Sequence, residues 1–198
     1  SAASDVYKRQ IKDHPYDEGE GWGLVPWSQE EMPVTEEMLQ TASGDDVALV
    51  ILGRTAGEDQ DNTDKPGSYK LTRTEEDLIR KVSSQFSRTA VILNVGNIID
   101  MKWVREFDPA AVLYAWQGGQ EGGNGVCDVL MGRVNPCGKL TDTIAEDISD
   151  YPSTSNFGDL QKNYYKEDIY VGYRYFETFA KDKVLYPVSY THLRAHET

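Results

Sequence analysis

Three carboxylates stand close together in the segment Thr55–Asp61, which reads Thr-Ala-Gly-Glu-Asp-Gln-Asp. Glu58, Asp59 and Asp61 could each exchange a proton with a bound substrate, because a carboxyl group can serve as a general acid and then as a general base. None of the three histidines lies near this segment in the sequence, so a histidine-based acid or triad finds no support. The segment could therefore support acid/base chemistry by a pair of carboxylates. Alternatively, it is a solvated acidic turn with no catalytic role.

Signatures of several other kinds of site are missing from the sequence. There is no glycine-rich loop ending in Gly-Lys-Ser/Thr, no Gly-x-Ser-x-Gly turn and no His-Glu-x-x-His pair. The glycine cluster Gly118–Gly123 lacks the Gly-x-Gly-x-x-Gly spacing of a dinucleotide site, although a helix N-terminus there could receive an anion. Close packing of a helix on a strand is the favoured interpretation of this cluster. The sequence predicts no cofactor and no metal.

The carboxylates follow a predicted buried strand. Asp46–Arg54 contains an unbroken apolar run, which is typical of a strand buried on both faces. Two more such strands are predicted at Ala90–Val95 and Ala111–Trp116, with helical patterns between them. This alternation predicts the α/β class, as a three-layer α/β/α sandwich with a mostly parallel sheet covered on both faces. Open sheets of this kind usually place ligands at the carboxyl edge, where the acidic segment begins.

The predicted helices and loops complete this scheme. Thr74 is the predicted N-cap of a helix that has Glu75 and Glu76 in its first turn. Thr55–Tyr69 contains glycines and a proline and is predicted to be a long surface loop. Shorter helices are predicted to begin at Thr35 and to span residues 99–105 and 124–130, and a further strand is possible at residues 139–144.

Composition limits the partners of the chain. With 33 acidic and 20 basic residues, the formal charge of -13 argues against nucleic acid and anionic membranes. The 12 tyrosines and 4 tryptophans could stack on sugar rings or fill a core. Cys127 and Cys137 are interpreted as buried or half-buried residues in a reducing compartment, and without an apolar leader the sequence favours a cytoplasmic location. No run reaches the roughly 20 apolar residues of a membrane span.

The order and spacing of six motifs give a family resemblance. From about residue 22 to residue 187 the chain resembles the second, α/β sandwich domain of glycoside hydrolase family 3, the β-glucosidase group. The motifs that carry the resemblance are Gly53–Asp59, Leu93–Gly96, Trp116–Gly123, Asp128–Gly132, Asn135–Leu140 and Asp168–Tyr175.

The resemblance implies part of a retaining, exo-acting β-glycosidase that hydrolyses O-glycosidic bonds of a β-linked glucoside or oligosaccharide. Glu58 falls on the position of the catalytic general acid/base. Asp59, Asp61, Arg54 and Gln120 are expected to line the same edge as substrate-binding residues. The nucleophile, an aspartate, comes in this family from a (β/α)8 barrel, and a barrel of about 250 residues does not fit in this length. The partner is therefore the barrel domain of the same protein, and the chain alone is expected to be inactive.

The resemblance also sets the expected domain organisation. Residues 1–34 are an irregular lead-in whose first ten residues have no counterpart in the family. Residues 35–187 are the sandwich domain, and residues 188–198 are a foreign or disordered tail, because an expected Phe-Gly-x-Gly-Leu run is absent before Ser189. Both ends are expected to pack poorly. Without the barrel, Glu58 is expected to be exposed, with a pKa set mainly by its own acidic loop.

Two alternatives belong to other functional classes. One is a non-catalytic module that binds sugar or another protein through its acidic, aromatic surface. The other is a doubly wound nucleotide-binding domain, which the missing phosphate loop disfavours.

Overall fold

The computed structural model describes residues 12–21, 23–56 and 61–189. The chain divides into two compact units, a sheet unit of residues 1–99 and 106–122 and a second unit of residues 100–105 and 123–198. The helices and strands are α1 Glu36–Thr41, β1 Ala48–Gly53, α2 Arg73–Gln85, β2 Thr89–Asn94, α3 Trp103–Phe107, β3 Ala111–Tyr114, α4 Gly122–Leu130, β4 Ile144–Ala145, α5 Tyr173–Phe179 and β5 Val184–Tyr186.

The three long apolar runs form one parallel sheet in the order β1-β2-β3. Val50 lies opposite Val91, and Val91 lies opposite Val112, so the strands run in register across the sheet. Each strand begins and ends within two residues of its predicted bounds. The predicted α/β class with a mostly parallel sheet is confirmed.

The two faces of β1 differ in burial. Leu52 is fully buried, whereas Leu49 and Ile51 are 53% and 63% exposed. Successive side chains of a strand point to opposite faces, so Leu49 and Ile51 share one side of the sheet. The prediction that this strand is buried on both faces is therefore wrong for the described residues. An unbroken apolar run shows that both faces are apolar, but it does not show that another element covers each of them.

Helix α2 begins two residues earlier than the sequence predicts. Its N-cap is Thr72, whose hydroxyl accepts a hydrogen bond from the Glu75 N–H at 3.2 Å. The Glu75 carboxylate accepts one from the Thr72 N–H at 2.7 Å, which completes a capping box. Thr74, the predicted cap, lies inside the first turn, because only the Thr72 side chain has glutamate at the third helical position. Ile79 and Val82 then bury one face of the helix.

The two remaining helices of the central region also start away from their predicted positions. Helix α3 begins at Trp103 rather than at residue 99. Helix α4 begins at Gly122, and a Cβ on Gly118 would lie 2.6 Å from the Gly122 Cα. This close approach lies within the glycine cluster, where the chain enters α4, and the predicted packing of a helix on a strand stays a prediction.

Both cysteines are free and exposed, so the prediction that they are buried or half-buried is wrong. Cys127 lies on α4, a helix that has no fully buried residue. Cys137 lies in the exposed segment that follows this helix. A cysteine's burial depends on what packs over it, which two isolated residues in a sequence do not reveal.

The second unit is built around a short antiparallel pair. Strand β4 pairs with β5, so the strand predicted at residues 139–144 is reduced to its end. The Tyr151 hydroxyl donates to the Thr143 carbonyl at 2.8 Å and accepts from the Ala145 N–H at 2.9 Å. Burial raises the pKa of Tyr151 to about 12. Phe176 of α5 packs beside this tyrosine at a ring distance of 5.4 Å.

Charged pairs join residues 100–105 to the rest of the second unit. Lys102 contacts Asp147 at 3.0 Å, and Arg105 contacts Glu146 at 2.5 Å. The Ser149 backbone N–H and then the Lys102 ammonium hold the pKa of Asp147 well below its usual range. These groups are largely exposed, so each pair contributes little stability.

The structure describes only part of the two ends of the chain. Residues 12 and 13 are helical, and residues 14–34 form no regular helix or strand where they are described. The predicted domain organisation stays a prediction. The first ten residues and residues 190–198 lie outside the described residues, so their origin and packing stay predictions. None of the described helices has the length and apolar character needed to cross a membrane.

The unequal faces of β1 predict unequal effects of one substitution. Leu52→Ala should lower the free energy of unfolding by about 2–5 kcal/mol, because it opens a cavity in the core. Leu49→Ala, in the same strand, should change it by no more than about 0.5 kcal/mol. Urea unfolding followed by tryptophan fluorescence measures both. Equal losses would show that the Leu49 face is buried in solution.

Candidate functional site

Three chain segments leave the sheet side by side at its carboxyl edge. The Arg54 N–H donates to the Asn94 carbonyl at 3.1 Å, and the Ala115 N–H donates to the Leu93 carbonyl at 3.0 Å. These bonds continue the strand pairing one residue past β1 and β3. The segments that begin at residues 54, 95 and 115 therefore start from a common edge, the place where open parallel sheets hold ligands.

The predicted general acid lies in the first of these segments. Gly57–Gln60, here called the acid/base segment, contains Glu58 and Asp59 and lies outside the described residues. The predicted exposure of Glu58 and the predicted origin of its pKa therefore stay predictions. The residues on either side, Ala56 and Asp61, are described and fix where the segment departs and returns.

The departure of the acid/base segment is tightly packed. A Cβ added to Gly96 would overlap the Cβ of Ala56 and lie 3.2 Å from Oε1 of Gln117. Gly96 belongs to the segment after β2, and Gln117 to the segment after β3. All three segments of the edge therefore meet at Gly96, and the missing side chain there allows Ala56 to approach the loop after β2.

The return of the acid/base segment is held by a side-chain hydrogen bond. Asn62 Nδ2 donates to the Ile98 carbonyl at 2.6 Å, and this bond is partly buried. Ile98 lies in the same loop after β2 that Ala56 contacts, which comprises Val95–Ile99 and is here called the β2 loop. Asp61, the predicted substrate-binding residue beside Asn62, is exposed.

The chain beyond Asn62 folds back into the protein, so the prediction of a surface loop from Thr55 to Tyr69 is wrong for its last three residues. Ser68 and Tyr69 are almost fully buried. Ser68 Oγ accepts a hydrogen bond from the Thr63 N–H at 3.0 Å. Gly67 has a φ of 82°, and a Cβ there would lie 2.6 Å from Oγ of Ser28 in the lead-in. The glycine and proline residues correctly predicted a turn, but they did not indicate that this turn is buried.

A buried ion pair lies at the base of this loop. Arg54 contacts Glu75 through two parallel bonds, Nη1 to Oε1 at 2.5 Å and Nη2 to Oε2 at 2.8 Å. The two side chains are 3% and 1% exposed. Glu75 also accepts from the Thr72 N–H, so one carboxylate caps α2 and neutralises the arginine.

The remaining donors of Arg54 hold the backbone on both sides of the loop. Nε donates to the Ser68 carbonyl at 3.0 Å, Nη1 to the Gly53 carbonyl at 2.7 Å and Nη2 to the Lys70 carbonyl at 3.4 Å. All five N–H groups of the guanidinium therefore have acceptors inside the protein. This arrangement gives Arg54 a structural role and argues against the predicted contact with substrate.

Gln120 is the predicted substrate-binding residue of the third segment. It is exposed in the turn that leads into α4. Arg54, Asp61 and Gln120 thus all follow strands of one sheet at one edge. Substrate contacts by Asp61 and Gln120 stay predictions.

Glu31 places another carboxyl group near the ion pair. Burial raises its pKa above the ordinary value of 4.5, and the Glu75 carboxylate raises it further. The positive charge of Arg54 acts in the opposite direction more weakly. The lead-in segment therefore brings a half-buried acid to the base of the loop, which its irregular sequence did not reveal.

Two aromatic rings pack against each other at the end of β3, with their planes tilted by 45°. Tyr114 and Trp116 have ring centroids 4.4 Å apart, and the Tyr114 hydroxyl donates to the Asn97 carbonyl of the β2 loop at 2.9 Å. Trp116 has a φ of 56°, which is costly for a bulky residue. The sequence placed Trp116 at a strand end and at the start of a family motif, and the double glycine two residues later was the available sign of a sharp turn.

Other candidate sites are limited in the part of the chain that the structure describes. It contains no cluster of three or more histidine, cysteine, aspartate or glutamate side chains arranged to hold a metal ion. The second unit has an open depression of about 410 Å³, lined by Asp150, Tyr151, Tyr175, Phe179 and Lys183 among others. The Lys183 ammonium lies 3.7 Å from the Asp150 carboxylate, and Asp182 also lines the depression.

Comparison with known proteins identifies a family. The family model described as the glycosyl hydrolase family 3 C-terminal domain matches residues 7–173. A β-glucosidase of Ruminococcus albus is 56% identical over 186 residues, which cover 93% of this chain and 20% of that protein. β-Glucosidase A of Butyrivibrio fibrisolvens is 38% identical and is matched over 85% of this chain and 24% of its own length.

Solved structures give the same result. A β-glucosidase from Paenibacillus barengoltzii superposes with a TM-score of 0.90 at 50% identity, over 95% of this chain and 21% of that one. β-Glucosidase 3B from Thermotoga neapolitana, solved in complex with α-D-glucose, has a TM-score of 0.80 at 33% identity, over 94% of this chain and 27% of that one. The chain thus spans between a fifth and about a quarter of these proteins.

The buried ion pair predicts a large loss of stability when one partner is removed and a smaller loss when both partners are replaced by apolar residues. Glu75→Ala should destabilise the sheet unit by about 3–5 kcal/mol, because it leaves a buried guanidinium without a counter-charge. The double variant Arg54→Met/Glu75→Leu should recover part of this loss. Asp64→Ala, which removes the exposed pair with Lys70, should cost less than about 1 kcal/mol. Urea midpoints compare the variants, and equal losses for Glu75→Ala and Asp64→Ala would contradict the assignment.

The raised pKa of Glu31 predicts that replacing this residue increases the stability of the protein, by an amount that depends on pH. A raised folded-state pKa means that this group's stabilising contribution is complete below its unfolded pKa and is lost as the pH rises through the folded value. Glu31→Gln should therefore raise the thermal midpoint at pH 7, and the gain should shrink as the pH falls towards about 4. Melting curves across this range measure it, with exposed Glu30→Gln as the control. A loss at pH 7 would show that the ionised carboxylate is stabilising.

Proposed function

The chain belongs to glycoside hydrolase family 3, and from that premise we propose that it is the acid/base-bearing part of a retaining, exo-acting β-glycosidase. The substrate is a β-linked glucoside or oligosaccharide. Glu58 acts as the general acid and then as the general base. The chain spans a fifth of its Ruminococcus relative, so the proposal assigns the nucleophile to another part of the full-length protein.

Two proton transfers define the role of Glu58. In the first step its carboxyl group gives a proton to the glycosidic oxygen while an aspartate of the barrel domain attacks the anomeric carbon. In the second step the Glu58 carboxylate takes a proton from water, and the water oxygen displaces the aspartate from the sugar. Direct attack requires the two carboxyl groups to lie roughly 5–5.5 Å apart.

The position of Glu58 along the chain, between two anchored flanks, supports this role. Glu58 lies four residues after the buried Arg54, in a segment that departs from the carboxyl edge of the sheet. Both described flanks of this segment contact the same β2 loop, through Ala56 and Asn62. A carboxylate that must reach a nucleophile on a second domain is best carried by a rim loop with fixed ends.

The surroundings of Glu58 must change when the barrel is present. A general acid working near neutral pH needs a pKa of roughly 6–7, which requires desolvation or a neighbouring negative charge. The barrel and the bound sugar would supply much of both. Asp59, in the acid/base segment, and Asp61, directly after it, are proposed, with Gln120, to contact substrate.

Substitution of the proposed acid tests this role in the full-length protein. Glu58→Ala should lower kcat/KM about 10²–10⁴-fold for aryl β-glucosides with poor leaving groups. It should have little effect on the first step with 2,4-dinitrophenyl β-glucoside, because that leaving group needs no proton. Added azide should restore turnover and yield a β-glycosyl azide.

Asp61→Ala is the matched control, because Asp61 is the acid that directly follows the acid/base segment. It should lower the activity much less and should leave the dependence on leaving group unchanged. Comparable residual activity of the two variants would overturn the assignment of Glu58. Activity of the isolated chain that is unchanged when the barrel domain is added would overturn the two-domain mechanism, and sugar binding without hydrolysis would favour a binding module.

A further inference from the structure

The open depression of the second unit has the size and the mixed lining of a small-molecule site. Its volume is about 410 Å³, and the described residues that line it all lie between residues 149 and 183. Ligand sites in proteins usually measure roughly 300–1,000 Å³ and combine apolar surface with a few polar groups. The chemistry proposed for Glu58 uses no residue of this depression, so it is a separate candidate site.

Two aromatic side chains of α5 line the depression. Tyr175 and Phe179 lie four residues apart, so they share one face of the helix, and their ring centroids are 5.8 Å apart. The ring of Tyr170 packs edge-on against Phe179 at a centroid distance of 4.8 Å. Phe179 nevertheless stays 61% exposed. Its ring is therefore held by two neighbours and still offers apolar surface to a ligand.

Charged groups line the same depression. The Lys183 ammonium lies 3.7 Å from the Asp150 carboxylate, which is longer than the roughly 2.7–3.2 Å of a hydrogen bond. Because an ammonium has three N–H donors, Lys183 can also donate to a ligand. Asp182, the neighbour of Lys183 in the chain, is exposed and adds a carboxylate that can accept. The lining thus offers hydrogen-bond donors and acceptors beside the aromatic rings.

The core of the second unit holds this lining in place. Tyr151, another lining residue, is fixed by the two hydrogen bonds of its hydroxyl and by the ring of Phe176. Tyr151 and Tyr175 both pack against the buried cluster of Ala145, Phe176 and Ala180. A lining that is already ordered loses less conformational entropy when a ligand binds, which favours affinity.

We propose that this depression binds one glucose unit of a β-linked oligosaccharide without cleaving it. A pyranose ring has an apolar face of C–H groups, which fits the exposed ring of Phe179. The hydroxyl groups at its rim fit Asp182 and Lys183, which can accept from them and donate to them. Two carboxylates and one ammonium give the lining a net negative charge, so phosphate and anionic sugars are disfavoured.

This site goes beyond the proposed function. It takes only the class of sugar from that proposal and uses none of the groups assigned to catalysis. Either proposal can therefore fail without the other.

A fluorine label tests binding at the depression in the full-length protein. With 4-fluorophenylalanine in place of Phe179, fluorine NMR follows a titration with thio-linked cellotriose, whose sulfur linkages resist hydrolysis. The resonance should shift saturably with a Kd on the order of 1 mM. The same label in place of Phe157 is the control, because Phe157 is 63% exposed and lies outside the lining. Equal shifts at both positions, or no shift at position 179 at about 20 mM ligand, would overturn the proposal.

Substitution of Asp182 tests the polar part of the site with the same label at position 179. Asp182→Ala should raise Kd about 5–10-fold, because a charge-assisted hydrogen bond is lost. Asp182→Asn keeps an acceptor oxygen and should raise Kd less. Glu177→Ala is the matched control, since Glu177 is an exposed acid of α5 outside the lining, and it should leave Kd unchanged. Equal effects of Asp182→Ala and Glu177→Ala would contradict the assignment of Asp182.

Substitution of Phe179 tests the stacking surface, with 3-fluorotyrosine in place of Tyr175 as the reporter. Phe179→Ala should raise Kd by at least about 10-fold, because the apolar face of the sugar loses its partner. Phe157→Ala should leave Kd unchanged. An unchanged Kd for Phe179→Ala would rule out stacking on this ring.

Two further measurements distinguish this site from a cation site and from the catalytic site. A saturable shift at position 179 with tetramethylammonium chloride, and none with the thio-oligosaccharide, would assign the rings to a cation and overturn the sugar site. Hydrolysis of an aryl β-glucoside by Asp182→Ala and by Phe179→Ala should stay within about 2-fold of the unsubstituted protein. A large loss would place these residues in the catalytic site and overturn the non-catalytic role.

Discussion

The buried pair between Arg54 and Glu75 is the interaction on which the edge of the sheet depends. Arg54 is the first residue after β1, and Glu75 is the third residue of α2, so the pair joins the end of a strand to the start of the next helix. It also closes the intervening loop, because the guanidinium holds carbonyls at residues 53, 68 and 70. Burying two charges is costly, and this geometry offsets the cost by satisfying every donor.

Because the Arg54–Glu75 pair closes the base of the loop, it restricts the conformations that the loop can adopt. Its inner turn packs against Ser28, and its outer part is held to the β2 loop by Asn62. The described loop residues that make these contacts, Gly67 and Asn62, therefore have structural roles. Glu58, the carboxyl group proposed to act at the edge, is four residues from the buried, fully bonded Arg54.

Sequence reasoning identified the parallel strands because a strand buried in an α/β domain needs an unbroken apolar run. Prediction failed where the same sequence pattern is compatible with two different structures. Leu49 is as apolar as Leu52, yet it is exposed. Thr72 and Thr74 are equally good caps by type, and the choice between them followed from the reach of the Glu75 side chain. Cys127 gave no sign that its helix buries none of its residues.

The sequence by itself determined the α/β class, the order of the strands along the chain and the membership of glycoside hydrolase family 3, because apolar runs and spaced motifs are local properties. The tertiary structure alone decided that Arg54 faces inward to Glu75 rather than towards a sugar. It also decided that Ala56 and Asn62 share one neighbouring loop. Residues 54 and 75, like residues 62 and 98, are far apart in the chain, and only the packing of helix and strands brings such groups within hydrogen-bonding distance.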